Sequence, residues 1–132
     1  PIQESTETSP VIFNPEATPF NTLSEYHFFK DNLKHLTPVV GVLPYQPINS
    51  LFTDYAYKKR FIWMPKNQKA TYVNDYSILN FPDGTVFIEN FYYQNTLPSN
   101  LSRIIETRLM YKSSEGWKFA NYIWKLYRCY FY

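Results

Sequence analysis

The chain has 132 residues, with 13 basic against 11 acidic side chains and a formal charge of +2. This length supports one domain with its own core, and this charge is too balanced for electrostatically driven nucleic-acid binding, so no nucleic-acid partner is expected. An apolar share of 45% excludes a disordered chain, and no apolar run approaches the ~20 residues of a membrane helix.

Aromatic residues make up 20%, with 13 Tyr and 11 Phe against 3 Gly, which favours a sheet-rich fold over a helical bundle. A single cysteine, Cys129, allows no internal disulfide, and no C-x-x-C or C-x-x-C-H motif is present. The start at Pro1 reads as that of a mature or trimmed product.

Residues 1–21 are polar and proline-punctuated, and read as an extended arm or linker with Val11-Ile12-Phe13 as its anchor. Residues 22–132 read as a single β-rich domain. Thr22 and Glu25 have capping-box spacing, and Leu23, Tyr26 and Phe29 follow at helical intervals, so a short helix is expected over Leu23–Lys30. Three prolines between Leu33 and Pro47 suit an extended connection packed on the domain. A turn over Leu51–Asp54 then feeds a strand over Tyr55–Met64. Its alternation puts Tyr57, Phe61 and Trp63 on one face, with Lys58, Arg60 and Ile62 on the other. Pro65 stops it, and residues 66–69 form a polar turn. Ala70–Val73 and Tyr76–Leu79 are short strand candidates.

Pro82-Asp83-Gly84 combines a preset φ, a side chain that bonds its own backbone and a residue tolerant of φ > 0. The nine residues that follow, Thr85 to Tyr93, are β-branched and aromatic without Gly or Pro, and read as one long strand. Val86, Ile88 and Tyr92 line one face, Phe87, Phe91 and Tyr93 the other. Apolar on both sides, the strand is expected at the centre of a sheet and covered on both faces. Residues 94–100 form a loop. Arg103–Tyr111 and Trp117–Trp124 form a hairpin around a turn ending in Gly116. Lys125 to Tyr132 show no polar–apolar alternation and read either as a terminal strand or as a foreign end.

In order, the chain carries Leu-Pro-Tyr (43–45), Leu-Phe-Thr-Asp-Tyr-Ala-Tyr-Lys-Lys-Arg-Phe-Ile (51–62), Phe-Pro-Asp-Gly-Thr-Val (81–86), Phe-Tyr-Tyr (91–93), Glu-Thr-Arg-Leu (106–109), Gly-Trp (116–117) and Tyr-Ile-Trp (122–124). From about Thr22 to Trp124 this string resembles a bacterial extracytoplasmic family, often lipoproteins, associated with di-haem c-type cytochromes. The resemblance implies a periplasmic or cell-surface location. It also implies a link to electron-transfer modules, with a c-type cytochrome module or another protein as partner. The family continues past this point to a Cys-x-x-Cys-His segment, whereas Lys125 to Tyr132 fit none of that pattern, as a truncated or frame-shifted end would. No cofactor is expected in this chain, since haem requires the longer form.

The candidate patch is Lys58, Arg60, Glu106 and Arg108, with Trp63, Trp117 and Trp124 as stacking surfaces. If their strands are neighbours, Arg60 and Glu106 pair, either to set register or to offer a charged site to an anion. Glu89 sits mid-strand among aromatics, so it must meet a cation or mark where one face reaches water. His27 and His35 are eight apart, wider than metal pairs on a helix, and are read as surface residues. Asn100-Leu101-Ser102 is a glycosylation sequon, without meaning in a bacterial source.

The sequence therefore predicts a mainly β fold, an antiparallel β-sandwich or curved sheet with one short N-terminal helix. The function expected is a non-catalytic extracytoplasmic accessory domain for assembly or docking of redox modules. The alternative is a carbohydrate- or small-ligand-binding β-module using exposed aromatics.

Overall fold

The computed structural model describes residues 7–46, 56–96, 101–125 and 128–132. The turn expected over Leu51–Asp54, the first residue of the Tyr55–Met64 strand and most of the loop before Leu101, Asn100 included, lie outside them. Among the described residues, six strands form one open antiparallel sheet: β3 (Leu43–Tyr45), β4 (Ala56–Trp63), β5 (Val86–Thr96), β6 (Leu101–Ser113), β7 (Gly116–Lys125) and β8 (Arg128–Phe131), each beside its neighbour in sequence. A separate two-stranded ribbon pairs β1 (Phe29–Lys30) with β2 (Thr37–Pro38). The mainly β, antiparallel architecture is the one expected, and β5 lies between β4 and β6.

Local chemistry explains the turns. Gly84 has φ +89°, and a Cβ there would stand 2.9 Å from the Pro65 ring. Its N–H donates to the Lys112 carbonyl at 2.7 Å, while the Thr85 hydroxyl and N–H both donate to the Pro82 carbonyl. The β6–β7 hairpin turns at Gly116, φ +114°, where the Ser113 hydroxyl donates to the Gly116 carbonyl and accepts from the Glu115 N–H. Phe91 pairs with Glu106 but Tyr92 with Ile104, so Ile105 is the extra residue of a β-bulge. The bulge resets the alternation and lets Ile104 pack on the core. The C-terminal stretch forms a true strand: Cys129 pairs with Trp124 and Phe131 with Tyr122.

One face of the sheet is covered. Phe61, Val86, Ile88, Leu109, Ala120 and Tyr122 lie buried beneath Leu23, Tyr26, Phe28, Phe29, Leu36 and Val42. The arm joins this layer through the expected anchor. The Ile12 N–H donates to the Tyr26 carbonyl at 2.9 Å, and the Phe13 ring meets Tyr26, Phe28, Trp63 and Tyr111 at 5.6–6.2 Å. A pair of tyrosines pins the layer to the sheet. Tyr26 and Tyr122 share a hydroxyl–hydroxyl bond of 2.5 Å, Tyr122 donates to the Phe20 carbonyl at 2.7 Å, and the Phe20 N–H donates to Tyr26.

Three expectations are corrected. The helix over Leu23–Lys30 is a single 3-10 turn, Leu23–Tyr26, after which β1 begins. The capping pair does form, with the Thr22 N–H and hydroxyl both donating to Glu25. The helix stops because Tyr26 and Phe28 must both face the sheet, which their stacked rings, 5.0 Å apart, achieve only once His27 turns left-handed at φ 59°. Residues i and i+2 lie on different sides of a helix. Ala70–Val73 and Tyr76–Leu79 are not strands: the one pairing here is an isolated bridge from Thr71 to Asn80, just past the second segment, and all residues 71–80 are exposed. Finally, β5 is central, but the described residues cover it on one face only. Phe87, Glu89 and Phe91 are half-buried on the other.

Candidate functional site

The uncovered face is built by register. Three rows cross the central strands β4 to β7: Ile62–Phe87–Met110–Phe119, Arg60–Glu89–Arg108–Asn121 and Lys58–Phe91–Glu106–Ile123. Each residue points the same way as its cross-strand neighbours because alternation has period 2. The first row is apolar, the second charged and polar, the third mixed.

The charged groups engage one another. Glu89 Oε1 forms ion pairs with Lys58 Nζ and Arg60 Nε, both at 3.2 Å. Arg108 Nε reaches Glu106 Oε1 at 2.6 Å, with Nη2 to Oε2 at 3.4 Å. The Phe91 ring lies between two cations, Lys58 Nζ at 4.8 Å and the Arg108 guanidinium at 4.6 Å from its centroid. Aromatic rings cluster at the other end: Phe81, Phe87 and Trp117 meet at 5.1–6.1 Å, and Tyr45 stands edge-on to Phe87 at 5.9 Å.

Where the aromatic end meets the charged row there is a cleft of about 350 Å³, lined by Tyr45, Phe87, Glu89, Arg108, Met110, Phe119 and Asn121. Phe119 is 69% exposed at its rim. The hydrogen bond to Glu106 holds the Arg108 guanidinium more firmly protonated than usual. Burial, then the Glu89 charge, pushes the Tyr45 phenol above its ordinary range. The cleft thus offers apolar rings, a fixed cation, a carboxylate, an amide and a neutral phenol.

The expected patch is partly assembled and partly divided. Lys58, Arg60, Glu106, Arg108 and Trp117 share the open face. Arg60 and Glu106 do not pair, because β5 lies between their strands: Arg60 takes Glu89, and Glu106 takes Arg108 on its own strand. Glu89 meets its cations, as a mid-strand carboxylate must. Trp63 and Trp124 lie on the covered face, so the three tryptophans form no common platform. Trp63 packs at 6.2 Å from Phe13. Trp124 is buried and heads a polar chain: its indole N–H donates to Thr107 Oγ1 at 2.9 Å, Thr107 donates to Asn90 Oδ1 at 2.6 Å, and Asn90 Nδ2 donates to the Lys59 carbonyl at 3.2 Å. Parity carried this signal, since Trp117 and Trp124 are an odd number of residues apart on one strand. Sequence reasoning missed Tyr45, Met110, Phe119 and Asn121. Phe119 and Asn121 share the parity of Trp117, so the face was readable once Trp117 was placed on it.

Cys129 is buried against Trp124, and burial pushes its thiol up to about 12, far from a reactive thiolate. His27 and His35 are both exposed, on different turns. Among the described residues, no three His, Cys, Asp or Glu side chains gather as a metal site, and no helix is long and apolar enough to cross a membrane.

Fold and site together define a class: an antiparallel meander covered on one face, with a mixed aromatic and charged cleft on the other. No protein-family model, curated protein or solved structure matches the chain.

Proposed function

We propose that this chain is a non-catalytic binding module that takes a small, ring-bearing ligand, such as a saccharide or a cyclic carboxylate, on the open face of its sheet. The observation that carries this reading is the cleft itself. It places Phe87, Phe119 and Met110 beside Arg108, Glu89 and Asn121 in one concavity of about 350 Å³, within the size range of small-molecule sites. Rings supply contact area to a ligand ring, and a few fixed polar groups set its orientation. Arg108 would take an anionic or hydroxyl group, and Asn121 and Glu89 would read donors and acceptors around the ring.

A second reading, docking of a c-type cytochrome module at the periplasmic or cell-surface side, is favoured by a separate observation. Beside the cleft, Phe91 is flanked by Lys58 and by Arg108 at the cleft's edge, and with Arg60 they place three cations against two carboxylates on the open face. That combination suits the carboxylates of a protein partner or a haem propionate.

Amide chemical-shift mapping with a panel of oligosaccharides and cyclic carboxylates separates the two. The first reading expects shifts centred on Phe87, Arg108, Phe119 and Asn121, and a loss of affinity of about tenfold in Phe119→Ala. Shifts confined to Lys58, Phe91 and Glu106, seen only with a purified cytochrome c domain, select the second. Silence of the open face toward both kinds of probe removes both.

A further inference from the structure

The open face continues past the cleft. Along β7 the side chains on that side are Phe119, Asn121, Ile123 and Lys125, a line of about 20 Å at the usual rise of a strand. Three further cations stand at its far end. Arg103 is next to Ile104, Lys125 next to Trp124 and Arg128 next to Cys129. Ile104 packs on the core and Trp124 and Cys129 are buried in it, so period 2 turns all three cations to the open side, where they are exposed.

Charge on this half of the face is one-sided. Lys58, Arg60 and Arg108 meet Glu89 and Glu106, but among the described residues no carboxylate lies within ion-pair distance of Arg103, Lys125 or Arg128. Asp54 is the one acid among residues 47–55, 97–100 and 126–127. Adding it and a terminal carboxylate at Tyr132 still leaves an excess of positive charge. Lys125 and Arg128 are also directly opposite each other across β7 and β8. Like charges so placed cost stability, and an anion between them removes that cost. Exposed rings lie among these cations. Tyr130 pairs with Ile123 and shares the side of Arg128. Tyr132 is exposed, and its hydroxyl donates to Glu106.

We propose, resting on the reading of the cleft as a ring-binding site, that the open face takes an acidic oligosaccharide, with one uronic-acid ring in the cleft and the carboxylates of the rings beyond it on Arg103, Lys125 and Arg128. Glu106 occupies Nε and Nη2 of Arg108, which leaves Nη1 for the first carboxylate. Phe119 at the rim of the cleft, then Tyr132 and Tyr130, give successive rings a surface to lie on. The groups between the cleft and the basic edge choose a saccharide over other polyanions. Glu89, Glu106 and Asn121 are acceptors in the middle of the track, and they suit a ligand that brings hydroxyl donors along with its carboxylates. A phosphodiester chain or a run of acidic side chains would meet the same two carboxylates with few donors to offer them.

The test is titration of the full chain, followed by amide chemical shifts, with galacturonate, hexagalacturonate and the methyl ester of hexagalacturonate. The hexamer should bind about tenfold more tightly than the single ring and weaken as salt rises. Esterification, which removes the charge and keeps the rings, should cost the hexamer about tenfold. The pair Lys125→Gln and Arg128→Gln should lower affinity for the hexamer by about the same factor and leave that for galacturonate unchanged, whereas Phe119→Ala should lower both. Arg103→Gln alone repeats the test should the double variant misfold. Circular dichroism should match wild type for each, since these side chains are exposed. A hexamer that binds no more tightly than galacturonate, or an ester that binds as well as the acid, overturns the proposal and leaves the cleft reading standing. Displacement of the hexamer by polyglutamate or single-stranded DNA of equal charge at lower concentration also overturns it, and assigns the basic edge to a polyanion of another class. Failure of every saccharide and cyclic carboxylate to shift the amides of Phe87 and Phe119 removes the cleft reading, and the proposal falls with it.

Discussion

The two faces of the six-stranded sheet come from the same strands and the same alternation, yet they solve the problem of polar groups differently. On the covered face, the buried polar side chains are neutral and chained: Trp124 to Thr107 to Asn90 to the Lys59 carbonyl, and Tyr26 to Tyr122 to the Phe20 carbonyl. Among the described residues, no buried side-chain nitrogen or oxygen lacks a partner. On the open face, polar groups are charged and paired in the presence of water, with Glu89 held by Lys58 and Arg60 and Glu106 by Arg108. The difference follows from desolvation. A neutral hydrogen bond survives burial at modest cost, whereas an ion pair taken fully from water loses several kcal/mol per ion before attraction repays it. The face that keeps its charges therefore stays wet, and it is the face free to meet a ligand.

The sharpest way to break this contrast is to remove the same kind of bulk from each side. Ile88→Ala beneath the N-terminal layer should cost about 2–5 kcal/mol in urea denaturation, while Phe119→Ala on the open face should stay within about 0.5 kcal/mol. Equal losses would mean that the open face is covered in solution. Next, Thr107→Val keeps the shape but leaves the Trp124 N–H and the Asn90 carbonyl oxygen without their partner, and should cost about 1–3 kcal/mol. A neutral outcome would mean that water or a shifted side chain replaces the hydroxyl.

On the covered face, alkaline pH acts through buried groups. Burial raises the Cys129 thiol from 9.0 to about 12, and burial also raises Tyr26 and Tyr122. In the unfolded chain the thiol ionises first, so between these values the unfolded state binds fewer protons than the folded state. The stabilisation is complete below about pH 9 and is lost as pH climbs toward about 12. The urea midpoint should fall across that window, and Cys129→Ala should flatten the fall. A slope unchanged by that substitution would place the titration elsewhere. The smallest effect belongs to the open face: a double-mutant cycle of Arg60→Ala with Glu89→Ala should show a coupling of about 0–1 kcal/mol, and Arg60→Ala with Glu106→Ala should be additive.

Much of the sheet was legible because its signals are local. The Pro82-Asp83-Gly84 turn, the run from Thr85 to Tyr93 and the stop at Pro65 each rest on neighbouring residues. The hairpin turn at Gly116 does too. The misreadings arose where a distant contact outweighed a local preference. Thr22 and Glu25 cap a turn as their spacing requires, but the demand that Tyr26 and Phe28 both face the sheet ends the helix after one turn. Ala70–Val73 and Tyr76–Leu79 have strand-like composition without a surface to pack on, and composition alone does not make a strand. Arg60 and Glu106 have matching charges, but which strand lies between them is not written near either residue.

The order of residues by itself determined which stretches extend, where they turn and which side chains share a side of each strand, since these depend on period 2 and on turn chemistry within a few positions. Only the tertiary structure decided that β5 separates β4 from β6, that residues 11–42 shield one particular side of the sheet, and that Trp63 and Trp124 are interior while Phe119 is not. Such choices depend on contacts between segments far apart in the chain, whose energies no local pattern encodes.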